Sequence, residues 1–313
     1  MKIIENTTEF NINEKTAVAI GKFDGFHRGH QKLLRMLKEQ KDNGLASVVF
    51  TFVPSPAAFF AGHPLKDLTT VEEKRSIFGQ AGVDYLIEYP FYQETADMEP
   101  LDYIKDVLVG RLNAKCIVAG DDVSFGRNGA GSCGLLKEKA AEYGYSVIVI
   151  DKVLYMEREV SSTYVREEVR NGNMELAGKL LGQPYHIGGE IVHGRQLGRT
   201  IGMPTVNLIP APEKLLPPNG VYFSYVRFFD RGLSGIKYPS ITNIGTKPTV
   251  DEREVMGVET YIYDFDKDVY GKSMEVFLLK FVRHEMRFGS VEELKSRMAR
   301  DIAAGRRFHN LEF

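Results

Sequence analysis

Two histidines three residues apart, His27 and His30, stand in the Gly-rich stretch GKFDGFHRGH (21–30), directly after the apolar run TAVAI (16–20). An apolar run followed by a Gly loop and a helix start is where free backbone N–H groups and the positive helix end favour a phosphate. Imidazoles placed there could hydrogen-bond phosphate oxygens and offset the charge that builds as a pentavalent phosphorus forms. Gly21, Gly25 and Gly29 let the backbone approach a bulky anion, and Asp24 could orient the loop or a metal. The plainer alternative is two surface histidines flanking a common βα turn.

Two further stretches carry chemistry-bearing residues. VSSTYVREEV sets Ser161, Ser162 and Thr163 ahead of a helix with Arg166 one turn in. These are either ordinary cap hydroxyls and a solvated arginine, or a second helix start that meets a triphosphate with a cation. In GEIVHGRQLGRTIGMPTVNL (189–208), Gly194, Gly198 and Gly202 alternate with Arg195 and Arg199. This is not a P-loop, because no G-K-[ST] follows. Pro204 then fixes the backbone, and Thr205 and Asn207 alternate to one side of an extended segment. Their oxygens could ligate a hard Mg²⁺ that also holds phosphates; taken alone, they are a Thr and an Asn in a turn.

The elements that must position these residues change character along the chain. Up to about residue 150, short apolar runs (TAVAI, LASVVFTF, YLIEYPF, KCIVAG, YSVIVID) alternate with amphipathic helical segments. The first helix follows TAVAI, with Leu33, Leu34, Met36 and Leu37 on its apolar face and Gly44 as its stop. That alternation predicts right-handed βαβ crossovers and a parallel sheet, with ligands beyond the carboxyl ends of the strands. GKFDGFHRGH and GDDVSFGRNGAGS are loops of that kind. Residues 157–182 read as helical. After Pro184 the chain becomes β-rich with Gly, Pro and Asp turns, which predicts an antiparallel barrel. SVEELKSRMARDIAAGRRF then closes the chain as an amphipathic helix opened by a Ser/Glu capping box. Two domains are expected, 1–182 and 183–313.

Composition sets the class. The chain has 313 residues, 43% apolar and 26% charged, and 40 Lys+Arg nearly cancel 42 Asp+Glu to leave a net charge of -2. Nothing there favours a nucleic-acid partner. The two cysteines, Cys116 in an apolar run and Cys133 in a Gly/Ser loop, have no Cys or His neighbour at metal-ligand spacing and make no disulfide framework. No stretch approaches 18 apolar residues and MKIIENTTEF has no apolar h-region, so no membrane association is expected and a reducing, cytoplasmic compartment is.

The order strand, Gly loop, H-x-G-H, helix resembles the nucleotidylyltransferase superfamily, and VSSTYVREE resembles its late ISSTxIR element. GRQLGRTIGMPTVN, PNGVY (218–222), NIGTKPTV (243–250) and VETYIYDF (258–265) resemble the riboflavin kinase family. Together the motifs resemble the bifunctional riboflavin kinase/FMN adenylyltransferase (FAD synthetase) family over nearly the whole chain. The resemblance implies a Rossmann-like nucleotidylyltransferase domain followed by a riboflavin kinase barrel. It implies riboflavin, FMN, FAD and ATP as substrates and products, and Mg²⁺ or a similar divalent cation. For adenylyl transfer it implies ATP on Gly21, Phe23, Asp24, His27, His30, Ser162, Thr163 and Arg166, and flavin on Asp122, Phe125 and Gly126. For the kinase it implies Glu259 as the base, the loop Gly194, Arg195, Gly198, Arg199 and Gly202 over ATP, metal and phosphate on Thr205 and Asn207, and flavin against Arg283 and Phe288.

Two positions depart from the family pattern. TFVPSP carries Ser55 where a histidine is usual, and DVSFG carries Val123 where an aromatic is usual. Both lie in the N-terminal half, which leaves two rival readings. One is a kinase with impaired adenylyl transfer, and the other is a flavin- or nucleotide-binding regulator without turnover.

Overall fold

The protein, described as a computed structural model over residues 1–193, 202–230, 232–248 and 254–311, folds as two compact units, Met1–Ser162 and Thr163–Phe313. In the first unit, β1 (Lys2–Glu5), β2 (Thr16–Ile20), β3 (Ala46–Val53), β4 (Tyr85–Pro90), β5 (Ala114–Gly120) and β8 (Ser146–Ile150) form one sheet. Its order is β1-β4-β3-β2-β5-β8 and every pairing is parallel. β2 is buried along its whole length, as a strand flanked by parallel neighbours and covered on both faces must be. Its residues split by period two: Val18 and Ile20 join one core with Phe50, Tyr103 and Leu108, and Ala17 and Ala19 join another with Leu37 and Phe78. The chain runs from β2 out to one edge and then returns to β5 on the other side of β2. The strand order therefore reverses at β2/β5, the place where open α/β sheets bind ligands. The loops after these two strands are GKFDGFHRGH and GDDVSFGRNGAG.

Helix α1 (Arg28–Glu39) buries Leu33, Leu34 and Leu37, each worth about 2 kcal/mol of apolar burial. It passes into one 3₁₀ turn, Gln40–Asn43, before Gly44 ends it at φ 75°, so the α-helix proper is shorter than its stop signal implied. Then follow α2 (Pro56–Ala61), α3 (Val71–Gln80), α4 (Gln93–Ala96) and α5 (Pro100–Asp102), the last continuing as π-helical turns through Tyr103–Arg111. β6 (Ser124–Phe125) and β7 (Gly131–Ser132) form a small antiparallel pair ahead of α6 (Cys133–Tyr143). Cys133, expected in a loop, is the buried first residue of that helix.

The stretch 157–182 is not one helix. A hairpin of β9 (Leu154–Tyr155) and β10 (Arg158–Glu159) comes first, then α7 (Ser162–Arg170) and α8 (Met174–Leu181). Gly172, at φ 76°, takes the left-handed turn that breaks them.

In the second unit, β11 (Tyr185–Val192), β12 (Val206–Leu208), β13 (Gly220–Phe228), β14 (Tyr238–Pro248), β15 (Glu254–Ile262) and β16 (Ser273–His284) close an antiparallel barrel in the order β11-β12-β15-β14-β13-β16. Within it Ser224, Ser240, Thr242 and Thr260 are fully buried and satisfy one another through hydroxyl bonds of 2.8 to 2.9 Å. Helix α9 (Val291–Phe308) stacks Phe308 on Phe223 with centroids 4.5 Å apart. Ser290 Oγ caps it through Glu293 N–H, but the Glu293 carboxylate accepts from Gly289 N–H, so the expected box is only half made. No helix among the described residues is long and apolar enough to cross a membrane.

Candidate active sites

The loop between β2 and α1 is built around Asp24, which has no exposed surface. Its Oδ1 accepts the backbone N–H groups of Leu68 (2.7 Å) and Thr69 (3.2 Å), and Thr69 Oγ1 accepts Gly25 N–H at 2.9 Å. Ser162 Oγ donates to the Asp24 carbonyl at 2.7 Å. Asp24 and Ser162, both expected against ATP, thus hold the loop's shape. His27 precedes α1 and His30 lies in its first turn, and their rings stack with centroids 3.8 Å apart. His30 in turn packs against Phe23 at 5.2 Å. The Nδ1 atoms of both histidines are buried with no hydrogen-bond partner among the described residues. Burial pushes the His27 pKa down to about 4, against the pull of the Asp24 and Glu159 charges. Burial, then the neighbouring His27 and Lys74, take His30 well below the ordinary range. Both rings are therefore neutral near pH 7.

The two departures have structural partners. Ser55 Oγ accepts Ala58 N–H and caps α2, where Pro56 opens the helix. Val123 packs against the apolar core beneath the sheet. Phe125 is 3% exposed and lies 5.2 Å from Tyr103, so its ring is core rather than a free flavin platform. Gly126, at φ 69°, sits close against Pro100, and Asp122 is exposed with its carboxylate over Gly120. Thr163 (exposed) and Arg166 (half-buried) lie on α7 and belong to the second unit.

In the barrel, Asn207 of β12 pairs with Glu259 of β15, which pairs with Asn243 of β14. Directly opposed residues share a face, so the three form one polar row. Thr205 Oγ1 donates to Glu259 Oε1 at 3.3 Å, and Asn243 Nδ2 donates to Glu285 Oε1 at 3.2 Å. Two cavities meet here. One, of about 520 Å³, is walled by Thr205, Asn243, Glu259, Arg283, Phe288 and Met298. The other, of about 540 Å³, is walled by His193, Pro204, Thr205, Phe265, Asp268 and Tyr270. Thr205 stands in both walls. Arg283 lines the first cavity, but its Nε and Nη2 donate to Asp301 Oδ2 at 3.0 and 2.6 Å. Gly202, at φ 77°, is exposed. Gly194, Arg195, Gly198 and Arg199 lie outside the described residues.

Sequence reasoning missed Lys74, Asn243, Glu285 and Asp301. Asn243 lies in a motif that marked the family, while Lys74 and Asp301 sit in helices whose spacing signalled only packing and capping.

Comparison with known proteins divides the chain in the same order. A family model described as FAD synthetase matches residues 9–164, and one described as riboflavin kinase matches 181–309. The bifunctional riboflavin kinase/FMN adenylyltransferase of Escherichia coli K12 is 38% identical, over 95% of this chain and 94% of that one. Its Bacillus subtilis counterpart is 33% identical over the same shares. The Buchnera aphidicola (Schizaphis graminum) protein of that name is 36% identical over 99% of this chain and 100% of its own. A crystal structure of a macrolide-efflux protein from Streptococcus pneumoniae superposes with a TM-score of 0.81 at 31% identity, covering 97% of this chain and 98% of that one. With both family models present in order and relatives above 30% identity along nearly the full length, the chain belongs to the bifunctional riboflavin kinase/FMN adenylyltransferase family.

Proposed function

We propose that the chain is a two-step FAD-forming enzyme: it phosphorylates riboflavin to FMN with ATP, then adenylylates FMN to FAD with release of pyrophosphate. Thr205, which lines both cavities with Glu259 beside it, supports the kinase step most directly. A flavin in the cavity bounded by Phe288 would bring its ribityl 5′-hydroxyl to Glu259, which takes the proton. ATP in the second cavity would end at Thr205, so the hydroxyl oxygen attacks the γ-phosphorus and ADP leaves. The oxygens of Thr205 and Asn207, with the carboxylate of Glu259 adjacent, suit a hard cation, and we assign Mg²⁺ to Thr205 and Asn207. Mg²⁺ would neutralise charge on the transferring phosphates. Arg283 is held by Asp301, so we assign it the placing of the pocket wall.

Adenylyl transfer is assigned to the first domain, 1–182, and the kinase to 183–313. The FMN phosphate attacks the α-phosphorus of a second ATP, and the bond to the β-phosphate oxygen breaks. No base is needed, because the attacking phosphate is already anionic. His27 and His30 serve as neutral donors at the phosphate site. Both departures are absorbed by structural roles, a cap for Ser55 and core packing for Val123, which weighs against an impaired N-terminal domain. We place the protein in the cytoplasm, where ATP is available and buried free thiols such as Cys116 and Cys133 stay reduced.

Product chromatography tests the whole reading: purified protein with riboflavin, ATP and Mg²⁺, and a parallel tube started from FMN. Both tubes should yield FAD. FMN as the sole product of the first tube, with FMN unconverted in the second, would leave only the kinase assignment standing.

A further inference from the structure

At the His27–His30 site each neutral imidazole has an N–H to offer an anion, but neither ring brings positive charge near neutral pH. A triphosphate arriving there, and a pyrophosphate leaving, are strongly anionic, and the charge that shifts onto the leaving group is what such a site must stabilise. The cation has to come from another element. Besides Arg166, which the family resemblance assigns to ATP, helix α3 supplies a cation within the first unit.

Its entry segment is clamped to the histidine loop through Leu68, Thr69 and Asp24. Its Thr70–Glu73 capping box fixes the first turn. Two turns in, Phe78 packs edge-on against Phe23 at 5.3 Å and against Phe26 at 5.7 Å. Phe23 touches His30, and His30 stacks on His27. Lys74 precedes Phe78 by four residues, so it shares that face, and its stem leans back toward the helix start. That places its ammonium on the histidine side of the loop.

Lys22 is also near, but it is engaged by Asp24 at 3.8 Å and by Asp67 at 3.6 Å. Lys74 is half-buried, and its ammonium makes no ion pair or hydrogen bond among the described residues. Burial lowers its pKa from the ordinary lysine value, and the charges of Asp24 and Asp67 pull the other way, toward the charged form. A partly desolvated ammonium whose charge reaches His30, together with two buried ring nitrogens that lack partners, suits an anion.

We propose that Lys74 is a catalytic residue of adenylyl transfer, its ammonium contacting the triphosphate of ATP and the departing pyrophosphate. This rests on the assignment of the His27–His30 site to FAD formation. Lys74→Gln and Lys74→Arg are compared with wild type and His30→Ala for FAD formation from FMN, and for the reverse reaction of FAD with inorganic pyrophosphate. Thermal melting of each protein is recorded alongside.

Lys74→Gln should lower kcat for FAD formation roughly a hundredfold, and it should raise KM for pyrophosphate about tenfold. Lys74→Arg should recover most of both and melt like wild type. FAD formation within threefold of wild type in Lys74→Gln would overturn the proposal. So would equal losses in both variants that follow a common drop in melting temperature, which is the signature of a purely structural lysine. If wild type makes no FAD, or His30→Ala is unimpaired, the underlying site assignment fails instead.

Discussion

The His27 imidazole lies tight against the place that a β-carbon on Gly29 would take: Cε1 and Nδ1 are both 3.1 Å from that position. The glycine between the two histidines is thus needed for a steric reason. It lets the His27 ring fold back over the start of α1 and stack on His30. A methyl group at residue 29 would press on the ring and shift it from its stacked position by a few tenths of an ångström.

Gly29→Ala should therefore impair FAD formation while leaving the fold nearly intact. Alanine gains up to about 1 kcal/mol over glycine in a helix, which offsets part of the strain. We expect at least a tenfold fall in kcat for FAD formation from FMN, with a melting temperature within a few degrees of wild type. Steady-state assays and a thermal melt check both. Unchanged FAD formation would mean that the stacked arrangement of the rings is dispensable.

Glu259→Gln should abolish FMN formation and leave riboflavin binding largely intact. Glutamine keeps the size and can still meet Thr205 Oγ1, but it cannot take the proton of an alcohol. A loss of two or more orders of magnitude in kcat is expected. Flavin fluorescence titration and a riboflavin phosphorylation assay separate the two effects. FAD formation from supplied FMN should continue, because that reaction is assigned to the other domain.

Stability should fall with pH before most carboxylates titrate. His27 has a pKa of about 4 in the folded chain against 6.5 when free. Below pH 6.5 the unfolded state binds more protons than the native state, so acid favours unfolding. His27 alone should cost the first unit about 2 kcal/mol by pH 5, and the loss is complete below its folded value. His30 adds to it in the same direction. Denaturant melts at pH 7.5 and pH 5 should show the decline in wild type and a shallower one in His27→Gln. Equal slopes in the two proteins would show that His27 is not buried neutral.

Much of this organisation is legible from residue order, because period and punctuation follow backbone geometry. β2 reads as an unbroken apolar run since both its faces are covered, and the switch at β2/β5 places both loop motifs where ligands bind. The break falls at Asn171-Gly172-Asn173, a turn signal outweighed by the helix formers on either side, and the two-residue strands of the β9–β10 hairpin are too short to show a period. Asp24 reads from its place in the Gly loop as a residue that could orient it, and it does so, but its partners and that of Ser162 are backbone groups far along the chain, which spacing does not reveal. The flavin role of Phe125 is implied by the family resemblance alone, and nothing in its local sequence signals that its ring packs on Tyr103 in the core. Lys74 and Asp301 carried no local signal, since their meaning comes from what tertiary packing sets beside them.

Asp301 joins the helix that closes the barrel unit to the wall of the flavin-side cavity. It is 6% exposed, it accepts two bonds from Arg283 of β16, and Arg297 Nε lies 3.1 Å from its other oxygen. Asp301→Asn keeps the shape but removes the charge that two guanidiniums share, so Arg283 is released into the cavity it now borders. The unit should lose about 2–4 kcal/mol, since an uncompensated, partly buried cation remains. KM for riboflavin should rise several-fold with a smaller change in kcat, because Glu259 and Thr205 lie outside this ion pair. Riboflavin saturation curves together with a thermal melt of the variant provide the check. A lower melting temperature with unchanged KM would confine Asp301 to holding α9 and would remove Arg283 from any part in placing the flavin.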